Sequence, residues 1–303
     1  MTTDVAASVK ARLLAKAHAK GEEFERSLAR YASERLLYRL GESSMRQRCL
    51  LKGASLLSAW MSDTYRMTRD IDLLAFGLRN DEAIHDFLAE VCKVPCPEDG
   101  LLFDLSQLTV EPIGLDEGYV GRRARFLAYL GKARIALQVD FGTGDAVGAP
   151  TEEIEYPTIL EQLPPPRVRA YPREATVAEK FEAMVQLDTR NSRMKDFHDV
   201  WALSEAFPFE GPGLVAAVAA CFERRGTPWT EEAPRVLTPE FYVTPAIAAR
   251  WRSYLAAGTV LQPPPAPFAV IGERISSFLG PVRKSIMQSE PLESTWRPAG
   301  PWF

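Results

Sequence analysis

Apolar and polar positions alternate in two rhythms along this chain, and the rhythm changes mark its organisation. Residues 5–48 read as helix: Leu13 and Leu14, then Phe24, Leu28, Tyr31, Leu36 and Leu37 recur at helical spacing with Lys, Arg and Glu between them. Gly41 is placed to end that run. Ala54 to Met61 reads as a second apolar helix and Asp81 to Lys93 as an amphipathic one. Between them, Asp70 to Phe76 has the period of two of a strand. Three further strand-like runs follow, Leu105–Pro112, Arg123–Tyr129 and Ala133–Phe141, and Gly131-Lys132 joins the last two as a hairpin. Beyond Pro164-Pro165-Pro166 the rhythm is helical again, over 176–188, 194–206, 213–225, 244–257 and 272–279. The expected class is α+β: a mixed β-sheet with flanking helices over residues 1–166, led by the helices of 5–48, then a mainly helical C-terminal domain over 167–303. Trp296 and Trp302 in the tail are expected to cap a core.

Composition narrows the function without naming it. With 303 residues, 46% hydrophobic and 25% charged, the chain is globular, and a net charge of −4 leaves nucleic-acid contact to local basic patches. Such patches are offered by Arg122, Arg123, Arg125, Lys132 and Arg134, and by Arg167, Arg169 and Arg173; a solvated surface is the plain alternative. No secretory pattern opens the chain and no apolar run spans a bilayer, so a cytoplasmic location with no membrane partner is expected. Cys49, Cys92, Cys96 and Cys221 lack the partners for a tetrahedral metal set and are expected as free thiols.

The chemistry concentrates around Asp70-Ile71-Asp72-Leu73. Alternation puts both carboxylates on one face while Ile71 and Leu73 point into a core. Like charges held side by side repel, and a divalent cation removes the conflict. Mg²⁺ takes a few carboxylate oxygens and leaves its other positions to water and substrate phosphate. Asp140, on the polar face of a later strand, completes the minimal acidic set for two-metal phosphoryl transfer and is a candidate acceptor of a hydroxyl proton. Upstream, Gly53-Ala54-Ser55 opens a helix as a candidate phosphate seat. Downstream, Lys180 is a candidate triphosphate contact, with an exposed helix lysine as its alternative. Arg190, Arg193, Lys195, Asp196 and Asp199 read equally as a salt-bridged helix start, and His198 as a packing histidine.

Taken in order, Glu34-Arg35-Leu36-Leu37-Tyr38-Arg39-Leu40, Leu51-Lys52-Gly53-Ala54-Ser55, Arg66-Met67-Thr68-Arg69-Asp70-Ile71-Asp72-Leu73, Gln138-Val139-Asp140-Phe141-Gly142, Ala178-Glu179-Lys180-Phe181-Glu182-Ala183 and Arg193-Met194-Lys195-Asp196-Phe197-His198-Asp199 resemble the AbiEii, or MenT-like, toxin nucleotidyltransferases of the polymerase-β-type superfamily. The resemblance covers roughly residues 30–205 and implies a nucleotidyltransferase-type sheet. It implies that Asp70 and Asp72 bind metal with Asp140 as third carboxylate, and that Gly53 and Ser55 line the phosphate-facing turn. Lys180 matches the lysine that contacts nucleotide, Asp196 the C-terminal acidic motif, Arg66 an upstream basic position, and Thr68 a hydroxyl modified by the antitoxin in some relatives. The implied activity moves a nucleoside monophosphate from an NTP to an acceptor hydroxyl with Mg²⁺ or Mn²⁺. The implied acceptor is RNA, above all the tRNA 3′ end, and the implied partner a cognate antitoxin. Transfer to a small molecule or protein side chain, and a non-catalytic nucleotide-binding module, remain open. One position departs: the family shows Gly-Gly at the turn and this chain Gly53-Ala54, which would strain Ala54 if its φ had to be positive.

Overall fold

The computed structural model describes residues 4–61, 70–78, 80–113, 121–143, 151–258, 260, 263–264 and 267–303. Two helices, α1 (Val5–Lys20) and α2 (Phe24–Glu42), lead into the short strand β1 (Cys49–Lys52), the helix α3 (Gly53–Met61) and β2 (Asp70–Ala75). Then come α4 (Asp81–Cys92), the long strands β3 (Leu101–Ile113), β4 (Gly121–Leu130) and β5 (Ala133–Thr143), and the short β6 (Glu152–Glu155) and β7 (Arg167–Ala170). Helices dominate the rest: α5 (Arg173–Leu187), α6 (Met194–Ala206), α7 (Gly211–Arg225), α8 (Pro239–Tyr242), α9 (Pro245–Ala256) and α10 (Phe268–Gln288), with β8 (Phe209–Glu210) and β9 (Thr295–Trp296) pairing as a two-stranded ribbon. The chain forms two compact units, one holding the sheet and ending at Tyr171, the other running from Pro172 to Phe303.

The first unit is built on a seven-stranded mixed sheet in the order β3-β4-β5-β2-β1-β7-β6. β2 lies in its middle, parallel to β5 and antiparallel to β1. A central strand must be satisfied on both edges, and the alternation of β2 does the rest: Ile71 and Leu73 are buried while Asp70 and Asp72 stay half-exposed on the other face. The expected β4–β5 hairpin is present, turning at Gly131 and Lys132 with Leu130 opposite Ala133. β7 lies past the proline tract that the pattern marked as a break, and pairs in parallel with β1 through Leu51 and Ala170.

Two features depart from the pattern for physical reasons. Gly41 lies inside α2 rather than ending it, because a Cβ there would sit 2.3 Å from the carbonyl oxygen of Arg167; the glycine lets α2 press against β7. α10 runs far beyond the expected 272–279 and continues through Pro281, since its apolar stripe of Ile271, Ile275, Phe278, Leu279 and Val282 is fully buried and outweighs the lost backbone hydrogen bond.

Buried ions fasten the leading helices. Arg39 on α2 pairs with fully buried Asp99, which also accepts from the Leu101 N–H at 2.9 Å, while the Tyr31 hydroxyl donates to the Asp99 carbonyl at 2.8 Å. In the second unit Trp296 is 1% exposed and donates to the Ser204 carbonyl at 2.8 Å, and Trp302 stacks on Phe278, so both tryptophans cap the core as expected. All four cysteines are free, and burial pushes the Cys49 and Cys92 thiols up to about 12. Thiols so rarely ionised are inert nucleophiles. Among the described residues no helix is long and apolar enough to cross a membrane.

Candidate active site

The acidic face is assembled by register. β2 and β5 run parallel with Asp70 opposite Gln138 and Asp72 opposite Asp140, so the three carboxylates project to one side of the sheet. Asp72 and Asp140 are direct cross-strand neighbours, an arrangement that costs stability unless cations compensate it. β1 adds Lys52 opposite Asp72, its ammonium 5.3 Å from the ring centroid of Tyr171. β4 adds Arg123 opposite Asp140, with Nε donating to Oδ1 at 2.8 Å and Nη2 to Oδ2 at 2.7 Å. Those hydrogen bonds to Asp140 are the main cause that raises the Arg123 pKa above its ordinary value, and the fields of Asp70 and Glu111 add to it.

The turn before α3 is shaped to fit this face. Gly53 takes the left-handed conformation, φ +66°, and its α-carbon lies against Asp72, where a Cβ would come within 2.0 Å of Oδ2. Ala54 is already helical, so the expected strain at the second turn position does not arise: the positive φ falls on the glycine that remains. Ser55, 3% exposed, donates its hydroxyl to the Asp70 carbonyl at 2.9 Å and thereby ties the start of α3 to the acidic strand. Replacing Gly53 by Ala is expected to cost about 1–2 kcal/mol of backbone strain and, by displacing Asp72 from its place, to lower activity by about a hundredfold. Thermal unfolding and turnover of the purified variant check the two effects separately; turnover within a few fold of the parent would mean that the close approach is dispensable.

The second cluster lies in the helical unit. Lys180 on α5 is only 13% exposed, and its ammonium donates to Asp199 Oδ2 at 2.7 Å and Asp196 Oδ1 at 3.1 Å, both carboxylates fully buried on α6. Arg193 pairs with the other oxygen of Asp196 at 2.7 Å. Two cations and two acids thus balance, and Lys180 is a fixed ion rather than an exposed helix lysine. His198 is buried, stacks on Trp201 and lies 3.0 Å from the Tyr254 hydroxyl, a packing histidine as its surroundings suggested.

The structure therefore brings Asp70, Asp72, Asp140, Gly53 and Ser55 together in one unit and Lys180, Asp196 and Asp199 in the other. Arg66 and Thr68 lie outside the described residues. Among the described residues no group of three or more His, Cys, Asp or Glu side chains is gathered as a metal cluster, and Asp140 is bound to Arg123. Of the basic residues offered to an RNA backbone, Arg122 pairs with Asp81, Arg125 with Glu111 and Arg167 with Glu155. Arg123 and Lys52 were not singled out as site residues by motif. Their signal lay in strand register.

The first unit thus carries carboxylates on adjacent central strands of its sheet, beside a glycine turn and a helix start. The model of the family described as "Nucleotidyl transferase AbiEii toxin, Type IV TA system" matches residues 35–274, and the chain belongs to that family. No curated protein matches the chain. Two solved structures from Helicobacter pylori are similar to it. One, described as "putative nucleotidyltransferase from H. pylori", has 10% identity and a TM-score of 0.49 and covers 89% of this chain and 100% of that one. The other, JHP933, has 11% identity and a TM-score of 0.46, covering 85% and 91%.

Proposed function

We propose that this chain transfers a nucleoside monophosphate from an NTP to an acceptor hydroxyl on RNA, with the tRNA 3′ end the foremost candidate, as the toxin partner of an antitoxin. The observation that carries the reading is the shared face of Asp70, Asp72 and Asp140, with Asp72 seated against Gly53 at the start of α3.

The donor set suits Mg²⁺ or Mn²⁺: hard carboxylate oxygens, two from one strand and a third in register beside them, with no sulfur or imidazole. Asp70 and Asp72 would hold the cation, with Asp140 reaching a second. When bound, such ions neutralise the polyphosphate and stabilise the attacking and leaving oxygens. The remaining work falls to the protein. The small residues Gly53 and Ala54 leave the first N–H groups of α3 open to a phosphate. Ser55 fixes the spacing between that turn and Asp70. The bond formed joins the acceptor oxygen to the α-phosphorus, the bond broken releases pyrophosphate, and Asp140 is the side chain assigned to take the hydroxyl proton. Lys180 enters the proposal as a nucleotide-contacting cation, its ammonium oriented by Asp196 and Asp199; Arg66 and Thr68 remain in it on sequence alone.

A second reading keeps the chemistry and replaces RNA by a small molecule or a protein side chain. The ion pairs of Arg122, Arg125 and Arg167 favour it, because charges already neutralised contribute little to phosphate-backbone binding. Purified protein incubated with Mg²⁺, each labelled NTP and total tRNA decides between them. Label at the tRNA 3′ end establishes the first; pyrophosphate release without labelled RNA establishes the second. No turnover with any NTP leaves a nucleotide-binding module.

A further inference from the structure

The register that sets Arg123 opposite Asp140 continues along the β4–β5 hairpin. On the same face come Arg125 opposite Gln138, Leu127 opposite Ala136 and, just before the turn, Tyr129 opposite Arg134, with Leu102 of β3 on the other side of Tyr129. The reverse face of the hairpin is core: Phe126 and Leu137 are 3% and 2% exposed. This face is open. Arg125, Ala136 and Arg134 are exposed, Leu102 is 66% exposed and Tyr129 half-exposed, while Leu127, at 9%, is nearly buried among them.

Charge along the face is uneven. Arg123 and Arg125 are held by Asp140 and Glu111. Arg134 and Lys132 of the turn are exposed, and among the described residues neither is paired with a carboxylate. Asp104, the acid on this end of the face, already accepts from the Ser106 N–H at 2.9 Å. An aromatic ring between an exposed leucine and an unpaired guanidinium suits a ligand that offers both a flat ring to stack and an anion to pair, which is the chemistry of a nucleotide. Six residues of β4 separate Tyr129 from Arg123, about 20 Å, room for several nucleotides of one strand. A duplex keeps its base faces stacked inside, so the fit is to unpaired RNA. Resting on the reading of this chain as an RNA-directed nucleotidyltransferase, we propose that the open face of the β4–β5 hairpin is the track for the acceptor's unpaired 3′ strand. Tyr129 stacks on a base, Arg134 and Lys132 hold phosphates, and the strand runs along the hairpin toward the row of Asp72 and Asp140. Acceptors are thereby selected for a single-stranded end and not for the duplex behind it.

The test titrates a fluorescein-labelled single-stranded RNA octamer with the full chain, followed by fluorescence anisotropy, beside a blunt-ended RNA hairpin carrying the same label. Variants are compared with the parent after circular dichroism has confirmed folding. Tyr129→Ala should weaken octamer binding about tenfold, the loss of one stacked base, whereas Tyr129→Phe keeps the ring and should stay within about twofold of the parent. Arg134→Gln should weaken it about fivefold and flatten the slope of log affinity against log salt by about 0.7. The blunt hairpin should bind more weakly than the octamer and be indifferent to Tyr129→Ala. The same preparations are assayed for transfer of labelled NTP to total tRNA. Octamer affinity unchanged in both Tyr129→Ala and Arg134→Gln, or a hairpin bound as tightly as the octamer, would overturn the track while labelled tRNA leaves the RNA reading standing. A parent that releases pyrophosphate without labelling RNA, and binds neither probe, would remove the RNA reading itself and the inference with it, leaving the face to a protein partner.

Discussion

Asp72→Asn is expected to lower nucleotidyl transfer by about a thousandfold, roughly 4 kcal/mol of transition-state stabilisation. The substitution keeps the shape of the side chain, so the close packing of Asp72 against Gly53 survives. It removes the charge from one of the two β2 carboxylates assigned to the cation. It also removes the repulsion between Asp72 and its neighbour Asp140 together with the attraction to Lys52 on the other side, opposed effects that should leave stability within about 1 kcal/mol of the parent. Activity and stability therefore move apart, which separates a catalytic role from a structural one. Steady-state turnover of labelled NTP and a thermal melt of the same preparation measure both. An Asn variant within tenfold of the parent would mean that the face is not the reaction centre.

Asp99→Ala should give the largest loss of stability, about 3–5 kcal/mol. Asp99 is fully buried, and Arg39, 3% exposed, has it as its carboxylate partner and lies over the Phe103 ring. Truncation leaves a guanidinium in the core with the Arg35 carbonyl and the Phe103 ring but without its carboxylate partner. The Asp99 side chain also accepts from the Leu101 N–H, so the start of β3 loses its anchor. At about 2–4 °C per kcal/mol for a unit of this size, the first melting transition should fall by roughly 10 °C. Arg39→Met in the same background should recover part of the loss, because the stranded charge is then gone. A drop below about 3 °C in the single variant would show that water reaches Arg39.

What the sequence revealed followed from local rules. α6 was expected over 194–206 and spans Met194–Ala206, because its periodicity is uninterrupted. The acids of β2 were legible as one face because a period of two needs no partner strand. β1 escaped notice since its four residues merge into the apolar run of α3, and its partner β7 pairs from residue 170. The Arg123–Asp140 pair was within reach: a turn at Gly131-Lys132 sets Leu130 opposite Ala133, and counting back from there places Arg123 opposite Asp140. Composition alone instead groups the arginine with its neighbours as a basic patch for an RNA backbone. Ala54 was judged against a family pattern, whereas the backbone asks for a positive φ one residue earlier. The partners of Lys180 could not be read, since spacing within α6 does not say which face meets α5.

The order of strands also sets when the protein can become active during synthesis. Asp72 needs β5, and β1 needs β7, so the middle of the sheet closes only over loops of about seventy and more than a hundred residues. The β3–β4–β5 meander can form early from near neighbours, but it lacks an acidic partner until β2 docks along its edge. The carboxylates of β2 and β5 are therefore aligned only after β5 has left the ribosome, about seventy residues behind β2, and β1 waits still longer for its second partner at Ala170.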